Sequence, residues 1–212
     1  MSEISTKTSA SSRKAMITKL TSTAILSAMA VLLMYLEFNL PFMPGFLKFD
    51  FSELPVLIGA YALGPWYGVL IELLKNLIHL PATGTAGIGE ASNFITGSIY
   101  VFIAGWIYTK NRTRKGAIIS MAVATLALGL IACPLNYFIT LPLYGSVLGF
   151  PMEAIVGMAS EVNPMVSSKI SLIFWVFLPF NLFKGLVISF LTFWVYKPIS
   201  NIIHRIYSKT HD

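Results

Sequence analysis

The chain has 212 residues, of which 56% are hydrophobic and only 11% are charged, and its mean hydropathy is +0.74. Soluble domains carry about 25% charged residues, so this composition excludes an ordinary soluble globule and a disordered chain. The net charge of +6 comes without a basic–aromatic motif for nucleic acid. The single cysteine, Cys133, excludes an intrachain disulfide framework. We therefore expect one membrane domain that binds no nucleic acid.

The first predicted element is a transmembrane helix that begins near Ile17 and ends near Phe38. A basic segment precedes it, as in a signal peptide, but no small-residue cleavage site follows the apolar stretch. We expect residues 1–17 to form a flexible cytosolic tail and residues 18–198 to form the membrane domain. Residues 199–212 are expected to form a second cytosolic tail.

Four further apolar stretches are long enough to cross a bilayer, which takes about 20 helical residues. They run roughly over Phe51–Leu80, Ala91–Tyr108, Ala117–Phe138 and Ile170–Tyr196. The first of them is interrupted by Gly64-Pro65, and a proline inside a helix removes a hydrogen bond. This stretch is therefore either one kinked span or two short helices joined by a turn.

The distribution of Lys and Arg favours six spans over five, because basic residues collect in cytosolic loops. Most of the basic residues form three clusters: Lys7, Arg13, Lys14 and Lys19; Lys110, Arg112, Arg114 and Lys115; Lys197, Arg205 and Lys209. With six spans all three clusters lie on one side, whereas with five the last two would lie outside. The sequence thus predicts an all-α integral membrane protein with six transmembrane helices and both termini in the cytosol.

Two connections on the outer side are longer than tight turns. Asn39–Asp50, with its alternating piece Phe46–Phe51, predicts a short strand or hairpin over the membrane face. Ile139–Ser168 is expected to be a lid or a binding loop. Six acidic residues lie in or near the predicted outer loops: Glu37, Asp50, Glu53, Glu90, Glu153 and Glu161. They either have a function there or are simply the charged residues that remain on this side, because Lys and Arg lie in the cytosolic loops.

Polar side chains inside the apolar helices are the candidate functional residues, because their burial is costly unless they meet a partner or a cavity. Glu72 and Lys75 could neutralise each other. Asn93 could cap its helix, and Asn136 could form an interhelical hydrogen bond. The lone His79 at a helix end is expected at the membrane interface.

Asn181 and Lys184 are harder to explain as structural residues. They share one helical face deep in the last span, and no acidic residue lies within one turn of Lys184. Amides both donate and accept hydrogen bonds, whereas a lysine only donates. With aromatic side chains near the outer ends, this set suits an uncharged, planar ligand that forms hydrogen bonds.

Ala24 and Ala28, flanked by Ser27, form a stripe of small residues on helix 1. Small residues at this spacing let another helix approach closely. That helix belongs either to the same bundle or to a separate membrane protein.

Enzyme chemistry has little support in the sequence. No zinc-protease HExxH, no hydrolase GxSxG and no Walker A sequence occurs. The segment Gly84–Gly89 resembles a phosphate-binding loop only superficially, because it follows a membrane helix and its glycines are in the wrong order. We expect a flexible outer loop there.

Seven short motifs over residues 20–198, taken in their order and spacing, resemble the riboflavin-specific S components of energy-coupling factor (ECF) transporters. They are Ala24–Ala28, Phe46–Pro55, Gly64-Pro65, Leu74–Leu77, Ala91–Phe94 with Gly97, Asn136–Phe138 with Pro142 and Tyr144, and Asn181–Lys184.

The resemblance implies a six-helix S-component bundle in a prokaryotic plasma membrane. Such a protein binds riboflavin from outside, with FMN left open as a second ligand, and has no resident cofactor, metal or catalytic site. It works with a transmembrane coupling subunit and two cytosolic ATPases, which fits the missing Walker A sequence. The implied ligand contacts are Leu47, Lys48, Phe49, Glu90, Asn93, Asn136, Asn181 and Lys184, and Ala24 and Ala28 are the implied contacts to the coupling subunit.

In the implied mechanism the flavin ring stacks among aromatic side chains, Asn136 and Asn181 bind its polar edges, and Lys184 donates to a carbonyl or to the ribityl chain.

Four alternatives stay open at this point. The chain could be an S component for another vitamin, such as thiamine or a pyridoxine-like compound. It could be an ATP-independent facilitator, a structural membrane protein without a ligand, or a small intramembrane enzyme.

Overall fold

The computed structural model describes the backbone of residues 2–208 and the side chains of residues 13–195. Within these limits the chain is mainly helical. The helices are α1 Ser2–Tyr35, α2 Glu53–Leu63, α3 Pro65–His79, α4 Ile88–Lys110, α5 Arg114–Leu135, α6 Leu141–Leu148, α7 Met152–Val162, α8 Lys169–Leu172 and α9 Leu178–Ser208. The side chains of Lys7, Lys197, Arg205 and Lys209, on which part of the predicted charge distribution depends, lie outside the described residues.

Three helical stretches of the described chain are long and apolar enough to cross a membrane. They are Arg13–Tyr35, Arg114–Leu148 and Lys169–Val195. α2 is apolar as well, but it is shorter. These stretches confirm an α-helical membrane protein.

The stretch Phe51–Leu80 forms two helices and not one kinked helix. Gly64 separates α2 from α3 with a φ of 117°, which a residue with a side chain rarely adopts, and Pro65 opens α3, where a missing N–H is harmless. α2 and α3 run side by side, because a Cβ on Gly68 would lie only 2.7 Å from the Cβ of Ala60. The turn at Gly64 thus folds the two short helices onto each other.

The outer connection after α5 is more helical than expected. A π turn, Asn136–Thr140, carries the helix directly into α6, which ends at Gly149 with a φ of 65°. α7 follows, so most of the connection Ile139–Ser168 is helical, and its expected role as a lid or a binding loop stays a prediction. Pro142 lies in the first turn of α6, directly after the π turn, and does not end the helix. A second π turn, Ile173–Phe177, joins α8 to α9.

The predicted strand between Phe46 and Phe51 is confirmed. β2, Lys48–Phe49, pairs antiparallel with β1, Phe38–Asn39, so that Phe38 lies opposite Phe49. This small hairpin follows α1 directly. It brings the segment 45–50 over the ends of the helices, where the candidate site lies.

Two hydrophobic clusters hold the bundle together. The larger joins α1 to α5 with α9 and includes Leu57, Ile71 and Tyr100. The smaller joins α6, α7, α8 and the second π turn around Leu141 and Ile155. On α1 the buried face carries Leu26, Ser27 and Ala30, whereas Ala24 and Ala28 are exposed. The two alanines therefore do not pack inside their own bundle.

Candidate functional site

A cavity of about 530 Å³ opens among α4, α6, α7, α9, the two π turns and the segment 45–50. Its volume lies within the range of small-molecule sites, roughly 300–1,000 Å³. Residues of both hydrophobic clusters contribute to its wall, among them Phe46, Tyr100, Tyr144 and Phe177. Two further aromatic side chains on the wall are Phe150 and Phe180. The rings of Phe46 and Phe177 have centroids 6.1 Å apart. The cavity thus offers flat apolar surface.

The cavity collects the ligand contacts expected from the sequence, with one exception. Its wall includes Leu47, Lys48, Glu90, Asn93, Asn136, Asn181 and Lys184. Phe49 is only 2% exposed, and its ring packs against those of Phe51, at 5.2 Å, and Phe183, at 5.8 Å. The Phe49 side chain therefore fixes the hairpin to α9 and is not part of the described cavity wall.

Asn136 is the first residue of the π turn Asn136–Thr140, and Asn181 lies four residues after the end of the π turn Ile173–Phe177. The Nδ2 atom of Asn136 donates to the carbonyl of Ala132 at 2.7 Å, and that of Asn181 donates to the carbonyl of Phe177 at 2.8 Å. The alternative of an interhelical bond for Asn136 is therefore not observed, since its acceptor lies in the preceding turn. With the amide nitrogens used in this way, each side chain has its carbonyl oxygen available to accept a hydrogen bond from a ligand.

Lys184 lies on the cavity wall with acidic partners that the local sequence did not suggest. Its Nζ atom lies 3.2 Å from Oδ2 of Asp50, 3.5 Å from Oδ1 of Asn93 and 3.7 Å from Oε1 of Glu53. Burial alone would raise the pKa of Asp50. The ammonium groups of Lys184 and Lys75 and a hydrogen bond from Ser52 nevertheless hold that pKa below its ordinary value. Lys184 and Asp50 thus form a buried ion pair at the cavity.

A second layer of charge lies behind this pair. The Nζ atom of Lys75 lies 2.7 Å from Oε1 of Glu53 and 3.0 Å from Oε1 of Glu72, and all three side chains are at most 4% exposed. The predicted pair Glu72–Lys75 is confirmed, but it has Glu53 as a third member. Oε2 of Glu53 and Oε2 of Glu72 accept no hydrogen bond in the described part of the chain.

Asn93 links the two layers. Its Nδ2 atom donates to Oδ1 of Asn76 at 3.2 Å, and Asn76 in turn donates to Glu72. The alternative of a helix cap for Asn93 is wrong, since the N-cap of α4 is Gly87. Asn93 lies one turn further into the helix, where its side chain faces the cavity and Lys184.

Gly97 on α4 is the point at which the backbone comes closest to these carboxylates. A Cβ there would lie 2.4 Å from Oε1 of Glu72 and 3.1 Å from Oε1 of Glu53. Any side chain at this position would displace them. The glycine therefore lets α4 lie this close to the charge cluster.

Glu90 anchors the connection between α3 and α4 at the cavity. Its Oε1 atom lies 3.0 Å from Nδ1 of His79, and Oε2 accepts hydrogen bonds from the hydroxyls of Thr83, at 2.7 Å, and Thr85, at 3.3 Å. His79 is not alone at its helix end, because it contacts Glu90, is 4% exposed and has its ring centroid 4.9 Å from that of Tyr35. Its expected place at the membrane interface stays a prediction. The connection is a hydrogen-bonded unit built on two threonines.

Sequence reasoning did not assign Asp50, Glu53 and His79 to the site. Asp50 and Glu53 were two of the acidic residues expected on the outer side. Their presence there could be explained equally well by the absence of Lys and Arg from the outer loops. Among the described side chains no group of three or more His, Cys, Asp or Glu residues is arranged to hold a metal ion. The chemical groups on the cavity wall are therefore amides, aromatic rings and paired charges.

Comparison with known proteins gives consistent matches. The family model "ECF transporter, substrate-specific component" matches residues 18–196. The chain is 31% identical over 188 residues to the riboflavin transporter RibU of Staphylococcus aureus, covering 89% of this chain and 93% of the relative. It is 33% identical over 174 residues to the riboflavin transporter FmnP of Bacillus subtilis, covering 81% and 86%.

A solved structure is similar to the whole fold. It is described as the S component of a bacterial ECF transporter, and it matches with a TM-score of 0.69 and 30% sequence identity. The match covers 87% of this chain and 96% of the solved chain.

Proposed function

The chain belongs to the substrate-specific components of ECF transporters, and from this membership we propose that it captures riboflavin outside the cell and delivers it inward with an ATP-driven ECF module. The family is a class of transport components and not a class of enzymes. The observation that carries the choice of ligand is the cavity, whose wall combines aromatic rings with two inward amides. The relatives named riboflavin transporters support the same choice.

The amides at the π turns suit the polar edge of a flavin ring. The ring's imide N–H needs an acceptor, and the carbonyl oxygens of Asn136 and Asn181 can supply one because their amide nitrogens donate to the backbone. The apolar faces of the ring can pack against Phe46 and Phe177, which lie on the cavity wall. A neutral, flat ligand with a hydrogen-bonding edge fits both features.

Lys184 would contribute a donor that is already oriented. Its ammonium group is held by Asp50 and Asn93, and it still lines the cavity. A ligand carbonyl near Nζ would complete its hydrogen bonds without a free positive charge in the site. Leu47 and Lys48 would approach the ligand from the hairpin side.

We further propose six spans with both termini in the cytosol. The separation of α2 from α3 at Gly64 supports this count, since it supplies two antiparallel helices in the place of one span. The basic residues around Arg114 then lie on the same side as those before α1. Residues 18–198 would form the membrane domain, between two cytosolic tails.

The coupling subunit is proposed to dock on the exposed stripe of α1. Ala24 and Ala28 have no covering element in the described chain, and small side chains permit a close helix approach. Two cytosolic ATPases would supply the energy, since the sequence itself has no Walker A motif.

The test is an absorption spectrum of the full chain purified in detergent, followed by identification of any released chromophore. Flavins absorb visible light, so we expect a yellow protein whose released compound is riboflavin. Added riboflavin should also lose fluorescence when it binds the ligand-free protein. A colourless protein that leaves riboflavin fluorescence unchanged would contradict the ligand, and other vitamins would then be screened against the same fold.

A further inference from the structure

Asn76 belongs to a row of four polar groups that runs from behind the cavity to its wall, in the order Glu72, Asn76, Asn93 and Lys184. Asn76 lies on α3, is 4% exposed and is not part of the described wall. A side-chain amide has a donor on one side and an acceptor on the other, so its orientation decides what it can bind. The groups at the two ends of the row fix the orientation of both amides.

The inner end of the row accepts hydrogen bonds. The Nδ2 atom of Asn76 donates to the backbone carbonyl of Glu72 at 2.8 Å and to Oε1 of the same residue at 2.9 Å. A backbone carbonyl cannot donate, so the nitrogen of the Asn76 amide has to face Glu72. Its oxygen is then left to face α4, where it accepts from Nδ2 of Asn93 at 3.2 Å.

The outer end of the row only donates. With its nitrogen bound to Asn76, Asn93 turns Oδ1 toward Nζ of Lys184, which lies 3.5 Å away. A lysine ammonium group has no acceptor. The reverse orientation of Asn93 would therefore oppose two donors at Lys184 and two acceptors at Asn76. Only one arrangement of the two amides satisfies the whole row.

We propose that Asn76 is a positioning residue for ligand binding: it holds the Asn93 amide in the orientation that accepts from Lys184, and so helps to hold that ammonium group at the ligand. This inference rests on the proposed function. Asn93 and Lys184 line the cavity, so Asn76 acts through them. Without the Asn76 acceptor the Asn93 amide is free to turn into the cavity, and affinity falls with the fraction of protein that is ready to bind.

The experiment is a double-mutant cycle on riboflavin binding, measured by flavin fluorescence with the purified full chain. Asn76→Leu removes the acceptor at similar side-chain size, and its dissociation constant should rise about fivefold or more, as expected for a lost hydrogen bond. In an Asn93→Leu background the same substitution should change the constant by less than about twofold, because the side chain that it orients is absent. Equal effects in the two backgrounds would mean that Asn76 does not act through Asn93.

Two further variants separate positioning from a general loss of stability. Asn76→Asp keeps an oxygen that accepts from Asn93, so it should recover most of the affinity lost in Asn76→Leu, although a carboxyl next to Glu72 should lower the melting temperature. Ser120→Ala is the matched control. It removes a buried hydrogen bond between Ser120 and Tyr61, 2.6 Å long and away from the described wall, so it should lower the melting temperature and leave the dissociation constant unchanged.

The outcomes separate this inference from the proposed function. A wild-type protein that does not bind riboflavin contradicts the proposed function and this inference with it. If the wild type binds, unchanged affinity in Asn76→Leu or in Asn93→Leu overturns the inference alone, and so does an Asn76→Asp variant that binds as weakly as Asn76→Leu. If Asn76→Leu does not fold, Asn76→Ala takes its place in the cycle, because it removes the same acceptor without a large apolar side chain.

Discussion

The ammonium nitrogen of Lys184 lies 3.2 Å from a carboxylate oxygen of Asp50, although the two residues are 134 positions apart in the chain. Asp50 follows the hairpin and Lys184 lies on α9, so their contact fastens the first outer connection to the last helix. Both side chains are at most 10% exposed. A buried ion pair of this kind is costly to break, because removal of either partner leaves the charge of the other one buried and unpaired.

Replacing Lys184 with Met should destabilise the protein strongly. The substitution leaves the Asp50 carboxylate buried without its nearest cation, and loss of one partner of a buried pair costs roughly 3–5 kcal/mol. We expect a lower melting temperature in detergent without ligand and weaker riboflavin binding. The double variant Lys184→Met with Asp50→Asn should recover part of the lost melting temperature, because no buried charge is then left alone. Equal melting temperatures for the single and double variants would contradict the pairing.

The lowered pKa of Asp50 predicts a stability that depends on acid. A carboxyl whose pKa is lower in the folded state stabilises the fold above its unfolded value, 3.8, and this contribution is lost as the pH falls through the lower folded value. The melting temperature of Asp50→Asn should therefore lie below that of the wild type at pH 7. The two melting temperatures should approach each other only below pH 3.8. The measurement is a series of melting curves from neutral to acid pH. A constant difference over the whole series would argue against the assignment.

The amides beside the π turns are predicted to carry ligand affinity. Asn181→Leu and Asn136→Leu each remove an acceptor that faces the cavity, and an unpaired polar group on the buried ligand costs about 1–3 kcal/mol. Each variant should therefore bind riboflavin roughly tenfold more weakly or worse in a fluorescence titration. Asn111→Leu, an exposed amide between α4 and α5, is the control and should bind as the wild type does. Folded variants with unchanged affinity would exclude these contacts.

The exposed stripe of α1 is predicted to serve delivery and not capture. Ala28→Trp should abolish riboflavin uptake in cells that also produce the ECF module, while the purified variant binds riboflavin normally. A large side chain at Ala28 prevents the close helix approach on which docking depends. Ala122→Trp, at an exposed alanine of α5, is the matched control and should retain uptake. Uptake that survives in Ala28→Trp would remove α1 from the proposed interface.

Gly97 is predicted to be intolerant of a single methyl group. Gly97→Ala brings a Cβ within 2.4 Å of Oε1 of Glu72, so the charge cluster behind the cavity must shift. We expect a lower melting temperature and weaker riboflavin binding. Gly157→Ala on α7 is the control, because nothing lies within 4 Å of the added Cβ and alanine favours a helix by up to about 1 kcal/mol. A variant Gly97→Ala that melts with the wild type would show that the cluster has room to adjust.

The membrane class and most helices could be predicted because they depend on local signals. The interruption of α2 and α3 at Gly64-Pro65 follows from backbone sterics that two neighbouring residues define. The alternation before Asp50 likewise indicates β2, although its partner β1 is not evident from sequence. The helical course of residues 139–148 was missed, because Pro142 is read as a break unless one knows that it begins a new helical segment.

The sequence singled out most of the polar residues that line the cavity, but not the contacts among them. Asn136, Asn181 and Lys184 stand out since a polar side chain inside an apolar span is unusual. The acidic partner of Lys184 could not be found within one turn of its helix, because Asp50 lies 134 positions earlier in the chain. The contact between His79 and Glu90 was missed because the two residues lie 11 positions apart, on either side of the connection between α3 and α4.

Each π turn shifts the angular register of the side chains between the two helices it joins, α5 and α6 at the first and α8 and α9 at the second. A π turn holds one residue more than the α-helical ladder needs, and each residue of a helix turns the following side chains by about 100°. α6 thus follows a different angular register from α5, and α9 follows a different one from the short α8. Removing a single residue from 136–140 would bring α5 and α6 into one register and rotate Tyr144 and Leu148, which lie on the cavity wall.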